Sequence, residues 1–392
     1  MKKTKKGIAL LTMSAVLAGI VPAGTIGLQD VHAADIPKAL VDFDFEELEA
    51  NQEIKTDTAK ATGTYELKDS HAGGGKALSL NGTDQWLNIT DEKGQSILTG
   101  KKELTFSYDA KMPKNHVNWG VFAARDASAT EYQKEHYVGT VHNPGADKDY
   151  LVAERFNGGE RPSSARANIN AYDNKWVHVD VVHTENDVTL YLDGKEVGKE
   201  KSKFALTDIL KDKSVLQLGK ANWGAGEYGK GLIDNFRIYG EALNQDQITK
   251  QYAEYILPFD IEALDLPSET DRSLTLPSQG ASGETEITWS SSNQDVMAND
   301  GTITRGDEDQ TVTMTATLKM GEVTDAKEFQ VVVKKKDPDA DVETYTKELT
   351  LNAGFVSEDM ELPEKIGDAA VTWKVTGGTA IKIEGNTAVV TR

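Results

Sequence analysis

From about residue 34 to residue 257, apolar and polar positions alternate in short runs broken by Gly, Asn and Asp. LTFSYDAKM (104–112), WVHVDVVH (176–183), VTLYLDGKEV (188–197) and LIDNFRIYG (232–240) all show the period of two that sends successive side chains to opposite faces of a strand. Asp193-Gly194 lies between two such runs. Its residue types tolerate the positive φ that a two-residue hairpin turn requires, so a hairpin is predicted there. Only ALNQDQITKQYAEY (242–255) reads as a helix, with Asn244 as its N-cap and Gln247 three residues on to complete a capping box. The pattern predicts one large antiparallel β domain over residues 34–257.

A smaller β unit follows over 258–335, with strand-like runs about ten residues apart, as in an immunoglobulin-like sandwich. KKKDPDADVE (334–343) is a charged, proline-bearing connector of the kind that separates domains. Beyond it, Pro277, Trp289 and Arg305 recur in the same order as Pro363, Trp373 and Arg392, so residues 336–392 are expected to begin a second immunoglobulin-like domain. The repeat stops before its last strands, which would leave a core and strand edges uncovered. A truncated domain, continuing past Arg392 in the natural protein, is the expectation. The fold class predicted is all-β: a jelly-roll β-sandwich followed by immunoglobulin-like β-sandwich domains.

The first residues do not fit this pattern. MKKTKK, the apolar run GIALLTMSAVLAGIV and Val31-His32-Ala33 have the three parts of a signal peptide, placed at 1–33. Pro22, Gly24 and Gly27 interrupt the apolar run and no charged stop-transfer flank follows, so membrane insertion is not expected. Secretion is expected, with attachment to the cell surface left open. Charge narrows the partners: 43 Lys and Arg against 63 Asp and Glu give −20, and removal of the leader takes away four lysines with one aspartate. Such a chain repels nucleic-acid phosphates and anionic membranes alike. Cysteine is absent, which excludes disulfides, thiolate zinc sites and a catalytic thiol, and for an exported chain suggests a bacterial origin.

Gly224, Gly226 and Gly229 spell G-x-G-x-x-G, the spacing of a dinucleotide-binding turn. That turn needs a helix starting at the third glycine to hold the pyrophosphate. The residues after the glycines, GLIDNFRIY, have strand periodicity instead. A nucleotide site is therefore rejected and the glycines are read as a tight loop between strands. The same region carries a different likeness. KALSLNGTDQWLNI, KWVHVDVVH, LYLDG, LQLGKANWG and GLIDNFRIYGEALNQDQI occur in the order found in bacterial laminin-G-like (concanavalin A-like) jelly rolls, and residues 40–256 resemble that family. ERFNGGERP (154–162) and GKANWGAGEYGKG (219–231) are similar in particular to the modules at the N-terminus of family 43 glycoside hydrolases that attack arabinan and xylan. Residues 260–335 resemble the atrophied bacterial immunoglobulin-like domains that follow such modules. No catalytic domain is recognised in the chain.

Sugar binding calls for flat aromatic surfaces flanked by polar groups. Trp119, Trp223 and Tyr228 lie in Gly- and Asn-rich segments, Arg155 and Arg161 flank a glycine turn, and His136 and Tyr137 precede a strand; these seven are the candidate ligand-binding residues. Their alternative is to fill the core, the place expected for Trp86 and Trp176. In LIDNFRIY, simple alternation puts Asp234 on one face with Leu232, Phe236 and Ile238, an apolar setting that is costly for a carboxylate unless paired or metal-bound. The resemblance implies a structural Ca²⁺ between first and last strands. Asp42, Asp44 and Glu46 on the first strand, with Asp234, would then supply oxygens. A carboxylate satisfied by backbone N–H groups or an arginine is the alternative. Six histidines lie in residues 34–257 but none forms H-E-x-x-H, and strand parity sends His178 and His183 to opposite faces, which argues against zinc.

These features together suggest a non-catalytic, monomeric, secreted polysaccharide- or oligosaccharide-binding and spacer region, with arabinan and xylan as candidate ligands. It would hold a hydrolase near its substrate through a second weak contact. The alternative is a cell-surface adhesion or structural protein that binds glycans or proteins through the jelly roll. A jelly roll that is itself a glycosidase or lyase is a third reading, without a catalytic motif behind it.

Overall fold

The computed structural model describes residues 35–46, 48–71, 75–113, 119–126, 136–144, 149–157, 163–211, 214–220, 228–336, 358–366 and 369–390. The expected leader and all but the first three residues of the connector lie outside them. The strands run β1 (Val41–Phe43), β2 (Ile54–Lys55), β3 (Lys60–Thr64), β4 (Glu66–Asp69), β5 (Lys76–Asn81), β6 (Trp86–Thr90), β7 (Leu104–Lys111) and β8 (Trp119–Asp126). They continue as β9 (His136–Pro144), β10 (Asp149–Asn157), β11 (Ser163–Asn168), β12 (Trp176–His183), β13 (Asp187–Leu192), β14 (Lys195–Lys201), β15 (Ser214–Leu218) and β16 (Lys230–Tyr239). The short helix α1 (Leu206–Ile209) precedes β15, and α2 (Gln245–Ala263) follows β16.

Two antiparallel sheets result. The first has the order β14-β13-β12-β7-β16-β5-β4, with β1 added to β16; the second is β11-β10-β9-β8-β15-β6-β3-β2. The alternation is what allows them to pack. Val177, Val179 and Val181 of β12, with Phe106 and Tyr108 of β7, turn inward to meet Leu87, Leu151 and Leu218 of the second sheet. The all-β prediction holds, and so does the hairpin: Asp193 and Gly194 have φ of 49° and 72°, both positive, and close β13 onto β14.

The strict alternation expected for LIDNFRIY fails at one residue. The pairing of β16 with β7 slips between Asp234 and Arg237, and Asn235 has φ 47°. This is a β-bulge: one extra residue that reverses the parity of everything after it. Ile233, Phe236 and Ile238 therefore face the sandwich core, and Asp234 is turned to the other face of the sheet, away from Phe236 and Ile238.

Helix α2 begins where the sequence places it. Asn244 Oδ1 accepts from the Gln247 N–H at 3.0 Å, and Gln247 Oε1 accepts from the Asn244 N–H at 2.9 Å. It runs eight residues beyond the expected end and carries Pro258 in its interior. A proline there removes one helical hydrogen bond. Tertiary packing outweighs the loss, because Tyr252, Tyr255 and Ile256 form one apolar cluster with Trp176, while Ala253, Leu257 and Leu264 form another with Ile287, Ala316 and Leu318. One helix thus serves two cores.

The next unit is the sheet β17-β20-β19-β18, from β17 (Glu269–Thr270), β18 (Glu286–Ser291), β19 (Gln310–Met320) and β20 (Val323–Val333). In β19, Val312, Met314, Ala316 and Leu318 are buried in alternation with threonines. Past the connector come β21 (Met360–Glu361), β22 (Lys365–Ile366), β23 (Ala369–Ala370), β24 (Ile381–Glu384) and β25 (Thr387–Val390). The sequence repeat has a structural counterpart: the Trp289 indole N–H donates to the Pro277 carbonyl at 2.8 Å, and that of Trp373 to Pro363 at 2.8 Å.

Candidate functional site

The glycine-rich loop between β15 and β16 is closed at its base by backbone bonds. Lys220 and Tyr228 form an antiparallel bridge, and the Gly229 N–H donates to the Gly219 carbonyl at 2.7 Å. Gly219 has φ 81°, and a Cβ there would collide with Leu80 Cδ1, so this position needs glycine on both counts. The bridge brings Tyr228 beside Trp86 at the start of β6. Their ring centroids are 5.6 Å apart at 38°, with the Lys220 ammonium 4.0 Å above the Trp86 ring and 5.4 Å from that of Tyr228. Trp86, expected in the core, is instead half-buried on the outer face of the second sheet.

Two polar atoms near this aromatic pair are buried without a hydrogen-bond partner among the described residues: the Trp86 indole N–H and Gln217 Oε1. The Gln217 amide is held in place by its Nε2, which donates to Asn88 Oδ1 at 2.9 Å. The half-exposed rings offer a surface for a sugar face, while the unpaired donor and acceptor lie buried beneath it.

Further across the same face, Tyr137 is fully buried and its hydroxyl donates to Glu154 Oε2 at 2.5 Å. Burial raises the Glu154 carboxyl, partly offset by that hydrogen bond and by Arg166. Tyr137 therefore has no bare ring for stacking. Arg155 is also fully buried, on the opposite side of β10. Its Nε donates to His183 Nδ1 at 3.1 Å, and its terminal nitrogens donate to the carbonyls of Thr184, Glu185, Asp187 (2.9 Å) and Phe204 (3.3 Å). Burial lowers its pKa to about 10, and the same burial, with the Arg155 charge, pulls His183 well down. Arg155 thus ties the 184–187 turn to the core and is not placed for ligand. Of the three candidates whose side chains are described, Tyr228 alone stands at the aromatic pair. Trp119 and His136 open β8 and β9, their side chains outside the described set, and Arg161 and Trp223 lie outside the described residues altogether.

The carboxylates expected at calcium are separated in role. Asp42 accepts from Arg237 Nε at 3.0 Å on an exposed surface, and Asp44 accepts from the Glu46 N–H at 3.3 Å. Glu46, also expected there, accepts from the Lys76 N–H at 3.3 Å. Asp234 accepts from the Ser70 hydroxyl and from the Asn235 N–H at 2.7 Å, and burial raises it to about 6. Among the described residues no group of three or more metal-ligating side chains comes together.

What the alternation does not reveal is a buried ionic network on the outer face of the first sheet. Asp109 Oδ1 accepts from His178 Nδ1 at 2.6 Å; its Oδ2 accepts from His71 Nε2 at 3.1 Å and Asn235 Nδ2 at 2.8 Å. His178 Nε2 lies 3.2 Å from Asp180 Oδ2, an ion pair by distance whose angles fall short of a hydrogen bond. Burial alone would raise Asp109, but hydrogen bonds from His178 and His71 outweigh it and hold the carboxyl at about 2. Burial alone would lower His178, yet the Asp180 charge and the bond to Asp109 raise it to about 10. The only sequence signal is the opposite parity of His178 and His183, which the structure shows.

Residues 81–249 match the family model of the concanavalin A-like lectin/glucanases superfamily, and residues 253–336 match that of the atrophied bacterial Ig domain. A concanavalin A-like domain is thus followed by an atrophied bacterial Ig domain. No curated protein matches the chain. Among solved structures, domain 4 of a GH43 extracellular arabinanase from Geobacillus stearothermophilus, in complex with arabinotriose, is 19% identical over 55% of this chain and 98% of that one, with a TM-score of 0.40. A Ruminococcus gnavus sialidase CBM40 bound to α2,3-sialyllactose is 12% identical over 38% and 80%, at 0.32. The binding domain of botulinum neurotoxin DC in complex with rat synaptotagmin II is 14% identical over 74% and 73%, at 0.43. At such scores the likenesses decide nothing by themselves. Among the described residues no helix is long and apolar enough to cross a membrane.

Proposed function

We propose that this chain is a secreted, monomeric, non-catalytic glycan-binding and spacer region that holds a polysaccharide-degrading enzyme near its substrate, with arabinan or xylan as ligand. The observation that carries the reading is the Trp86–Tyr228 pair with its adjacent unpaired indole N–H and Gln217 Oε1. Sugar C–H faces stack on such rings. A concanavalin A-like domain is a fold consistent with this, though fold alone assigns no ligand.

The test is calorimetric titration of the full chain with soluble arabino- and xylo-oligosaccharides. Tyr228→Ala is expected to weaken binding by about tenfold or more, the size of a lost stacking contact, with the Tm unchanged. Unaltered affinity in that variant would remove the site. A structural calcium ion is a separate proposal. The carboxylates of Asp42 and Asp234 are already committed to Arg237 and Ser70, so the set does not fit an ion as it stands. A rise in Tm on adding Ca²⁺ to chelator-treated protein would reveal ligands other than these.

A further inference from the structure

Helix α2 and the turn before β12 enclose a cleft of about 490 Å³ against the 281–282 turn of the Ig domain. Trp176, Tyr255 and Phe259 form its aromatic wall, with Asn174, Lys175 and Ser282 among its polar lining. The wall is rigidly supported. Phe259 stacks on the His71 ring (5.0 Å, 20°), and Trp176 and Tyr255 meet that ring edge-on at 5.1 and 5.0 Å. His71 is in turn fixed by Asp109, the centre of the buried network. The opposite wall is pinned too: Asp260 accepts from the Ser282 N–H at 2.8 Å, the Ser282 hydroxyl at 2.7 Å and the Thr285 hydroxyl at 2.6 Å. A Cβ at Gly280 would strike both Asp260 and Thr285, so that glycine keeps the arrangement open.

The cleft carries one carboxylate and one ammonium, and they differ in how they are engaged. The Asp260 carboxylate is saturated by three donors, whereas Lys175 is exposed and has no ion-pair partner among the described residues. A buried ionic network is in general a poor source of net stability compared with apolar packing. Behind this cleft it does something apolar side chains could not, fixing the ring plane on which Phe259 stacks.

We propose that this cleft is a second carbohydrate site, specific for an acidic sugar: a uronic acid residue stacked on Trp176 and Phe259, its carboxylate directed to Lys175. This rests on the reading that the chain binds glycans and adds a site on the opposite side of the sandwich. The volume lies within the range of small-ligand clefts, and half-buried rings with one cation match a ring bearing apolar C–H faces and one negative charge.

The experiment titrates the full chain with trigalacturonic acid and with neutral galactotriose, following tryptophan fluorescence and heat. Trigalacturonate is expected to bind and galactotriose to bind more weakly, with the difference shrinking as salt rises. Phe259→Ala should weaken trigalacturonate by about tenfold or more, and Lys175→Ala by about threefold, as for an exposed ion pair. Tyr228→Ala should leave it unchanged. Binding lost in Tyr228→Ala but kept in Phe259→Ala would overturn the proposal, as would equal affinity for both trisaccharides. If Phe259→Ala fails to fold, Lys175→Glu at the exposed rim takes its place: weakened trigalacturonate binding supports the site, and unchanged binding overturns it. Should neutral oligosaccharides ignore Tyr228 while trigalacturonate still depends on Phe259 and Lys175, the first site fails and this one stands.

Discussion

On the outer face of the first sheet, Asp109, His178 and Asp180 are almost wholly buried, with Tyr252 and Tyr255 of helix α2 close against the His178 ring. On the outer face of the second sheet, Trp86 and Tyr228 stay half-exposed, and polar atoms beside them have no partner among the described residues. Both faces are built from the same strand pattern and both bear aromatic and polar residues. The difference is closure. Where a helix covers the sheet, the charges pair with one another and the residues serve support; where none does, aromatic rings stay open to a ligand. Polarity on a sheet face therefore does not mark a site until its cover is known.

The sharpest way to break this comparison is at Asp109. Asp109→Ala strands His178 and His71 without their shared acceptor in a buried setting, and is expected to cost about 3–5 kcal/mol in denaturant unfolding. The same substitution should leave the affinity at Trp86 and Tyr228 untouched in whatever protein remains folded. A stable Asp109→Ala protein would mean the first face is not the supporting one.

Acid and base should act most clearly on the first face, although burial also raises Glu154 on the second and pulls His183 in the core well down. His178 is raised in the fold, so its stabilising contribution is complete below its ordinary value of 6.5 and is lost as pH rises towards about 10. Asp234 is also raised, from 3.8 to about 6, so its contribution is complete below 3.8 and is lost as pH rises through about 6. Asp109 is held at about 2, and its contribution is lost only as pH falls below 3.8 towards that value. His183, pulled well down, acts in the opposite sense below its ordinary value of 6.5, so the decline is expected above that value, measured as Tm from pH 7 to 10. A curve rising over that range would contradict the assignment.

A smaller effect separates the two faces from the other side. Tyr228→Ala is expected to change glycan affinity by about tenfold and stability hardly at all. A large fall in Tm would make Tyr228 a packing residue and blur the contrast. Smaller again is the cap: Asn244→Ala, which removes the first hydrogen bond of the covering helix, should cost about 1 kcal/mol. Least of all is Lys195→Ala. Its 2.6 Å pair with Glu284 joins the β13–β14 hairpin to the Ig domain, but both groups are solvent-exposed, and a loss of no more than about 0.5 kcal/mol is expected.

Local pattern was enough for the all-β class, the Asp193-Gly194 hairpin, the Asn244 capping box, the opposed faces of His178 and His183, and the repeat that recurs as Trp289–Pro277 and Trp373–Pro363. Each depends on residues a few positions apart, where φ preference, capping and period two act directly. Tertiary structure decided the rest. The bulge at Asn235 sent Asp234 to the face opposite the one that alternation predicts, because one residue in a left-handed conformation shifts every later side chain. Trp86 and Trp176 left the core because the faces they occupy meet a loop and a helix distant in sequence. Arg155, Tyr137 and the His71–Asp109–His178 network acquired their roles from burial and from partners up to 126 residues away, as with Asn235 and Asp109. Burial and long-range pairing are properties of the packed chain, and no local spacing carries them.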